Sequence, residues 1–182
     1  MDQDFTTKDR LQRAAKTAFW ARGYSNVTLR EIARDAGVDV ALVKRYFGDK
    51  LGLFAATLDA AFDTSALAQT NGTDLIETVV HLFSIASRNL NDPSVIRLIL
   101  MNAHEAEVGA MVRAAHAKQM QSYLERVIGD PTRAALFMAV ILGASVAEKS
   151  LRLQAMAPMG SPKHSAELRY MLQAALAYEE TK

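Results

Sequence analysis

Residues Val27 to Phe54 read VTLREIARDAGVDVALVKRYFGDKLGLF. Thr28 carries a hydroxyl able to accept from backbone N–H groups left free at a helix start, and Glu31, three residues on, completes a capping box. A helix is therefore predicted from Leu29, with Leu29, Ile32 and Ala33 on one apolar face. Gly37 supplies the left-handed stop, and Asp39 is placed to cap a second helix from Val40 to about Phe47. In that second helix Leu42, Val43 and Phe47 can turn inward. Ala41, Lys44, Arg45 and Tyr46 then occupy the outward surface. A small side chain that permits close approach, two cations and a phenol are groups suited to a DNA groove and its phosphates. Two short capped helices joined by a glycine form a helix-turn-helix, although the same signals also serve an αα-hairpin used only for packing.

Working outward, every long segment shows a helical period and none shows strand alternation or hairpin turns, so the chain is read as all-α. Helix 1 is expected from about Thr7 to Arg22, with Leu11, Ala14, Ala15, Ala18 and Phe19 inward and Gly23 at its end. Asp49 caps a fourth helix. Gly72 and Thr73 open a fifth, whose apolar residues are too many for one face and imply a widely buried helix. Asn91, Asp92 and Pro93 precede a short sixth helix to about Asn102. A seventh is predicted over His104 to Ile128, an eighth after Pro131 and a ninth from His164 to Glu180, giving about nine in all. The apolar run Ala134 to Leu142 falls short of the ~18 residues of a membrane span. No membrane association is expected from it, and burial on more than one side is. Ala135, Ala139, Gly143 and Ala147 form a small-residue stripe along that helix.

Composition narrows the classes. The 182 residues are half hydrophobic and contain no cysteine, which excludes disulfides and thiolate metal sites. MDQDFTTKDR has neither a basic region nor an apolar core, so no targeting segment is expected and the cytoplasm is the expected location. Net charge is only +1, but residues 1–50 hold 10 Lys and Arg against 7 Asp and Glu, while residues 51–182 hold 11 against 13. A site-specific DNA-binding protein needs only such a local cationic face.

The elements LxxAAxxxFxxxGY at Leu11 to Tyr24, VTLREIARDAGV at Val27 to Val38 and RYFGDKLGLF at Arg45 to Phe54 occur in order over about a third of the chain. Together they resemble the DNA-binding domain of the tetracycline-repressor (TetR) family. The resemblance implies a helix-turn-helix domain at 1–50 and a helical effector-binding and dimerisation domain at 51–182. It implies a homodimeric transcriptional regulator, a repressor, that leaves a palindromic double-stranded operator when a small ligand binds. Carried over by position, Thr7 and Lys8 approach phosphate, Thr28 and Arg30 stand at the start of helix 2, Ala41, Lys44 and Arg45 face bases, and Tyr46 and Lys50 hold backbone. Lys44 departs from the tyrosine of many relatives, which leaves the operator sequence open.

The same resemblance places the dimer contact on the last two long helices, here Ala135, Ala139, Gly143, Ala147, Leu168, Met171, Leu172 and Ala175, with an intramolecular core as the competing reading. Candidate effector-lining groups are Phe83, Ser84, Ser87, Met101, His104, Met111, His116, Met120, Tyr123 and Phe137; core packing competes for each of these as well. Adaptable Met and few charges suit an apolar ligand.

No enzyme is expected. HEAEV at His104 lacks the second histidine of a zincin, and no phosphate loop, nucleophile elbow or dinucleotide fingerprint occurs. Glu77 and His81 lie one helical turn apart without a second such unit, so neither a metal nor a cofactor is expected. The alternative is a helical protein that binds a metal or a protein partner and no specific DNA.

Overall fold

The computed structural model describes residues 6–59, 61–65, 72–85 (side chains from 75) and 93–179. The described residues are helical throughout: α1 (Thr7–Arg22), α2 (Leu29–Ala36), α3 (Ala41–Phe47), α4 (Lys50–Ala56), α5 (Gly72–Ile85), α6 (Val95–Asn102), α7 (Gly109–His116), α8 (Ser122–Ile128), α9 (Pro131–Ser145) and α10 (Pro162–Leu176). A π turn, Ala117–Gln121, leads without interruption from α7 into α8, and a second, Val146–Leu151, extends α9. Counting α7 to α8 as one stretch, nine helical stretches are described, as the sequence predicts.

The N-terminal starts form as the capping chemistry dictates. Thr6 accepts from the Asp9 amide and Asp9 returns the bond, so α1 begins at Thr7. Thr28 and Glu31 make the same reciprocal pair, and Gly37 ends α2 at φ 65°. Glu31 is held down to about 2, first by the Thr28 amide, then by the Thr28 hydroxyl and Arg22. A carboxylate lowered in the folded state stabilises above its ordinary value of 4.5, and this contribution is lost as pH falls towards 2. Glu31→Gln is expected to flatten the dependence of the urea midpoint on pH across that window. An unchanged slope would remove Glu31 from the acid response.

Packing divides the chain into two compact units, residues Met1–Phe62 with Asn91–His116, and Asp63–Leu90 with Ala117–Lys182. The expected division falls at residue 50. α4 packs on α1 and α3, and α6 packs along α1, so both belong to the first unit. Its core is aromatic: Phe19, Tyr24 and Phe54 meet with centroids 5.3 to 5.6 Å apart. Leu11, Ile32, Val43, Leu53 and Leu98 are fully buried with them, each such side chain contributing about 1.5–3 kcal/mol. Trp20 donates to Thr57 and carries the Lys16 ammonium 4.4 Å above its ring.

Asn102 is fully buried and joins α6 to the end of α1. Its Oδ1 accepts from the Tyr24 amide at 2.8 Å, while Nδ2 donates to the carbonyls of Phe19 and Leu98. Arg97 donates to the Ala21 carbonyl beside it. The helix predicted from His104 instead starts at Gly109, because residues 103–108 form turns. Glu105 and Glu107 there accept from the hydroxyls of Ser25 and Tyr24, and Arg113 caps the Ala103 carbonyl.

In the second unit α9 packs on α10 and α8, and α10 packs on α5. Leu75, Val79, Val80 and Phe83 form a single buried face of α5, with Leu82 and Ile85 exposed, so α5 is amphipathic rather than buried all round. α9 is likewise buried on one side only, through Ala134, Phe137 and Met138, while Ala135, Leu136, Ala139 and Gly143 are exposed within the chain. With its π turn the helix runs Pro131–Leu151, longer than the apolar run read from the sequence, and an 18-residue window within it has a mean hydropathy of 1.6, so by length and composition alone it is long and apolar enough to cross a membrane.

Candidate DNA-binding interface

α3 is amphipathic in a way that leaves its polar face unused by the fold. Val43 is fully buried and Leu42 and Phe47 are half-buried, whereas Ala41, Lys44, Arg45 and Tyr46 are exposed, Tyr46 by 38%. Asp39 starts the helix by accepting from the Ala41 amide at 2.7 Å, one residue later than the sequence predicts. The Arg45 guanidinium lies 5.8 Å from the Tyr46 ring. This cation–π contact leaves its hydrogen-bond donors unspent and suits a planar fork that reads two acceptors on one base edge.

Around α3 stand the expected phosphate contacts. Thr28 and Arg30 are exposed at the start of α2, and Lys8 is exposed on α1 beside half-buried Thr7. The Lys8 ammonium is 5.9 Å from the Phe47 ring and that of Lys50 is 4.1 Å from the Tyr24 ring. Asp49 caps α4 by accepting from the Gly52 amide. The first unit thus contains all nine expected DNA-facing residues.

The sequence reading missed Arg10. Its guanidinium donates to the Ala36 carbonyl and, at 3.0 Å, to that of Gly37. It thereby satisfies the open carbonyl end of α2 and holds the turn that aims α3. Only a contact across 26 residues reveals this, and no local pattern carries it. Arg10 also lines a groove of about 560 Å³ between α1 and α2 with Arg13, Arg22 and Asp35.

Residues 11–57 match the family model described as bacterial regulatory proteins, tetR family. By this match residues 11–57 form a domain of the tetR family of bacterial regulatory proteins. The fold agrees along nearly the whole length. NalD, the secondary repressor of the MexAB-OprM multidrug efflux pump in Pseudomonas aeruginosa, is similar with a TM-score of 0.60 and 19% identity over 93% of this chain and 94% of that one. A Rhodococcus protein assigned as a TetR-family transcriptional regulator gives 0.63 and 20% over 93% and 96%, and one from Mesorhizobium loti 0.54 and 20% over 93% of each. No curated protein matches in sequence. Residues 11–57 are accordingly a DNA-binding domain of the TetR type, and the remainder of the chain shares the fold of these regulators.

The effector candidates are not gathered within either unit. Met101, His104, Met111 and His116 fall in the first, and Phe83, Ser84, Met120, Tyr123 and Phe137 in the second; Ser87 lies outside the described residues. Phe137 is fully buried, with Phe83 and Tyr123 nearly so, as core residues are. His104 and Ser84 are exposed, each with a bond to the carbonyl of its own helix. His116 differs. Its Nε2 is buried without a partner, its ring meets the edge of Phe62 at 5.4 Å, and burial pushes its imidazole below the usual value. Of the pair considered for metal, Glu77 is held in a two-pronged ion pair by Arg169 at 2.6 and 2.8 Å, and no cluster of three ligating side chains occurs among the described residues.

The expected dimer residues also divide. Leu168 and Leu172 are fully buried within the chain and Ala175 nearly so, as the competing reading of an intramolecular core has it. Ala135, Ala139 and Gly143 are exposed, and Met171 and Ala147 are partly so. Ala139 and Met171 line a shallow apolar depression of about 510 Å³ with Leu136, Val140, Tyr170, Ala174, Ala175 and Tyr178.

Proposed function

We propose that this regulator is a cytoplasmic homodimer that represses transcription, reading a palindromic operator with a pair of α3 helices and leaving it when a small molecule binds. The observation that carries the DNA part is the exposed Ala41, Lys44, Arg45 and Tyr46 surface of α3, which the fold itself does not use. Similarity to NalD, a repressor, supports the sign of regulation.

The dimer part draws on α9 and α10. Tyr170 is 74% exposed and stands with Leu136 and Tyr178 around the apolar depression, a surface that the chain itself leaves uncovered. A second copy suits it because the small residues Ala135, Ala139 and Gly143 let helices approach closely. Two copies would hold their α3 helices one duplex turn, about 34 to 36 Å, apart. Leu136→Asp is expected to give monomers by sedimentation and to abolish binding to a full palindrome. A dimer unaffected by that charge would place the interface elsewhere.

Selection of binding sites from a randomised duplex library tests the whole reading: enrichment of a palindrome is expected, and none from a folded dimer free of effector would defeat it. On the selected site, Arg45→Ala is expected to cost about 1–3 kcal/mol and relax one base position. Lys50→Ala should weaken all sequences alike and lower the salt slope by about one.

A further inference from the structure

The π turn Val146–Leu151 places Glu148 in the interior of the second unit, its side chain 7% exposed. Widened turns of this kind occur often where a helix serves a ligand. One carboxylate oxygen of Glu148 meets Nε2 of His164 on α10, a side chain only 2% exposed. The other, Oε2, is buried and accepts no hydrogen bond from the chain. Phe83 of α5 stacks on the imidazole, centroids 6.4 Å apart at 29°. Three elements thus converge on a carboxylate that is matched on one oxygen only.

A half-satisfied buried polar pair is less stable than either a fully bonded one or an apolar replacement. His164 engages Oε1 and leaves Oε2 without a donor whichever way the shared proton lies. An alcohol supplies that donor, but an ammonium supplies it and also answers the carboxylate's charge when the imidazole is neutral. Phe83 provides an apolar neighbour for the rest of such a molecule.

We infer that Oε2 of Glu148 anchors the ammonium of a small amphipathic amine, and that this amine is the effector class. The inference rests on the effector-responsive reading proposed above and replaces a wholly apolar ligand with one that carries a single cationic group.

Thermal melting of the full-length protein with phenylpropylamine, phenylpropanol and propylbenzene separates the chemistries. The amine is expected to raise Tm by roughly 3 to 6 °C at tenfold saturation, and the alcohol and hydrocarbon by less. The shift should vanish in Glu148→Gln and persist in His164→Gln, which keeps the carboxylate. Equal shifts from all three compounds, no shift from the amine, or a shift that survives Glu148→Gln overturns the assignment. If Glu148→Gln does not fold, the His164 ring resonances of the unmodified protein decide: the amine should move them, and at lower concentration than the alcohol does, and a signal that the amine leaves unmoved or moves no more readily than the alcohol overturns it. Retention on a selected duplex is measured in the same samples. Amine binding that leaves retention unchanged overturns the effector role, whereas absence of any selected duplex defeats the regulator reading independently of the anchor.

Discussion

Gly52→Ala is expected to lower stability by about 3 kcal/mol and Tm by roughly 6 to 12 °C. Helix propensity alone predicts the opposite sign, since alanine is favoured over glycine in a helix by about 1 kcal/mol. Steric contact decides. A Cβ on Gly52 would lie 2.1 Å from the carbonyl oxygen of Phe47 and 3.2 Å from its carbon. The obstructing atoms are backbone, so no side chain can rotate away. α3 and α4 are joined only by Gly48 and Asp49, and the first turn of α4 therefore crosses the carbonyl end of α3. Relief requires α4 to move off α3, which displaces the exposed cationic face of α3 as well. Urea denaturation checks the energy and duplex binding the position of α3; a variant as stable as the parent would disprove the close approach.

Asn102→Leu is expected to cost about 2–3 kcal/mol despite matching the side chain in size. The Tyr24 amide then loses its acceptor, and a buried N–H without a partner carries its full desolvation penalty. The Phe19 carbonyl still accepts from the Gly23 amide, so it loses less. Asn102→Asp should be worse, because it keeps the acceptor for Tyr24 but sets carboxylate oxygen against the carbonyls of Phe19 and Leu98. Denaturant midpoints for the two variants check the order. Equal stability of Asn102→Leu and the parent would show that the amide network contributes nothing.

These two residues mark the limit of what could be read from the chain. The starts of α1 and α2 follow from hydroxyl and carboxylate groups three residues apart, and the glycine stops are equally local, so α1 and the start of α2 lie where predicted. The outward face of α3 was legible for the same reason. Gly52 was not, because its neighbour belongs to the preceding helix. Asn102 reads as the polar end of a short helix, and nothing near it in sequence announces Tyr24. The single helix predicted over 104–128 failed for a related reason: its apolar period continues through 103–108, but hydroxyls from the α1–α2 turn and the Arg113 guanidinium bend that segment into turns. Exposure of α9 was hidden too. A run of apolar residues gives no sign of which side its own chain covers.

On the proposed role of Lys50 as a phosphate contact, its ammonium resting 4.1 Å from the Tyr24 ring has a bearing on how fast and how tightly a duplex is held. A free lysine side chain gives up about 2 kcal/mol of rotamer freedom when it is fixed on a phosphate. Here part of that loss is incurred during folding, and the ammonium has already shed some of its water onto the face of an aromatic ring. The unbound protein therefore presents a cation of restricted reach, and arriving DNA finds it near one position instead of sampling many.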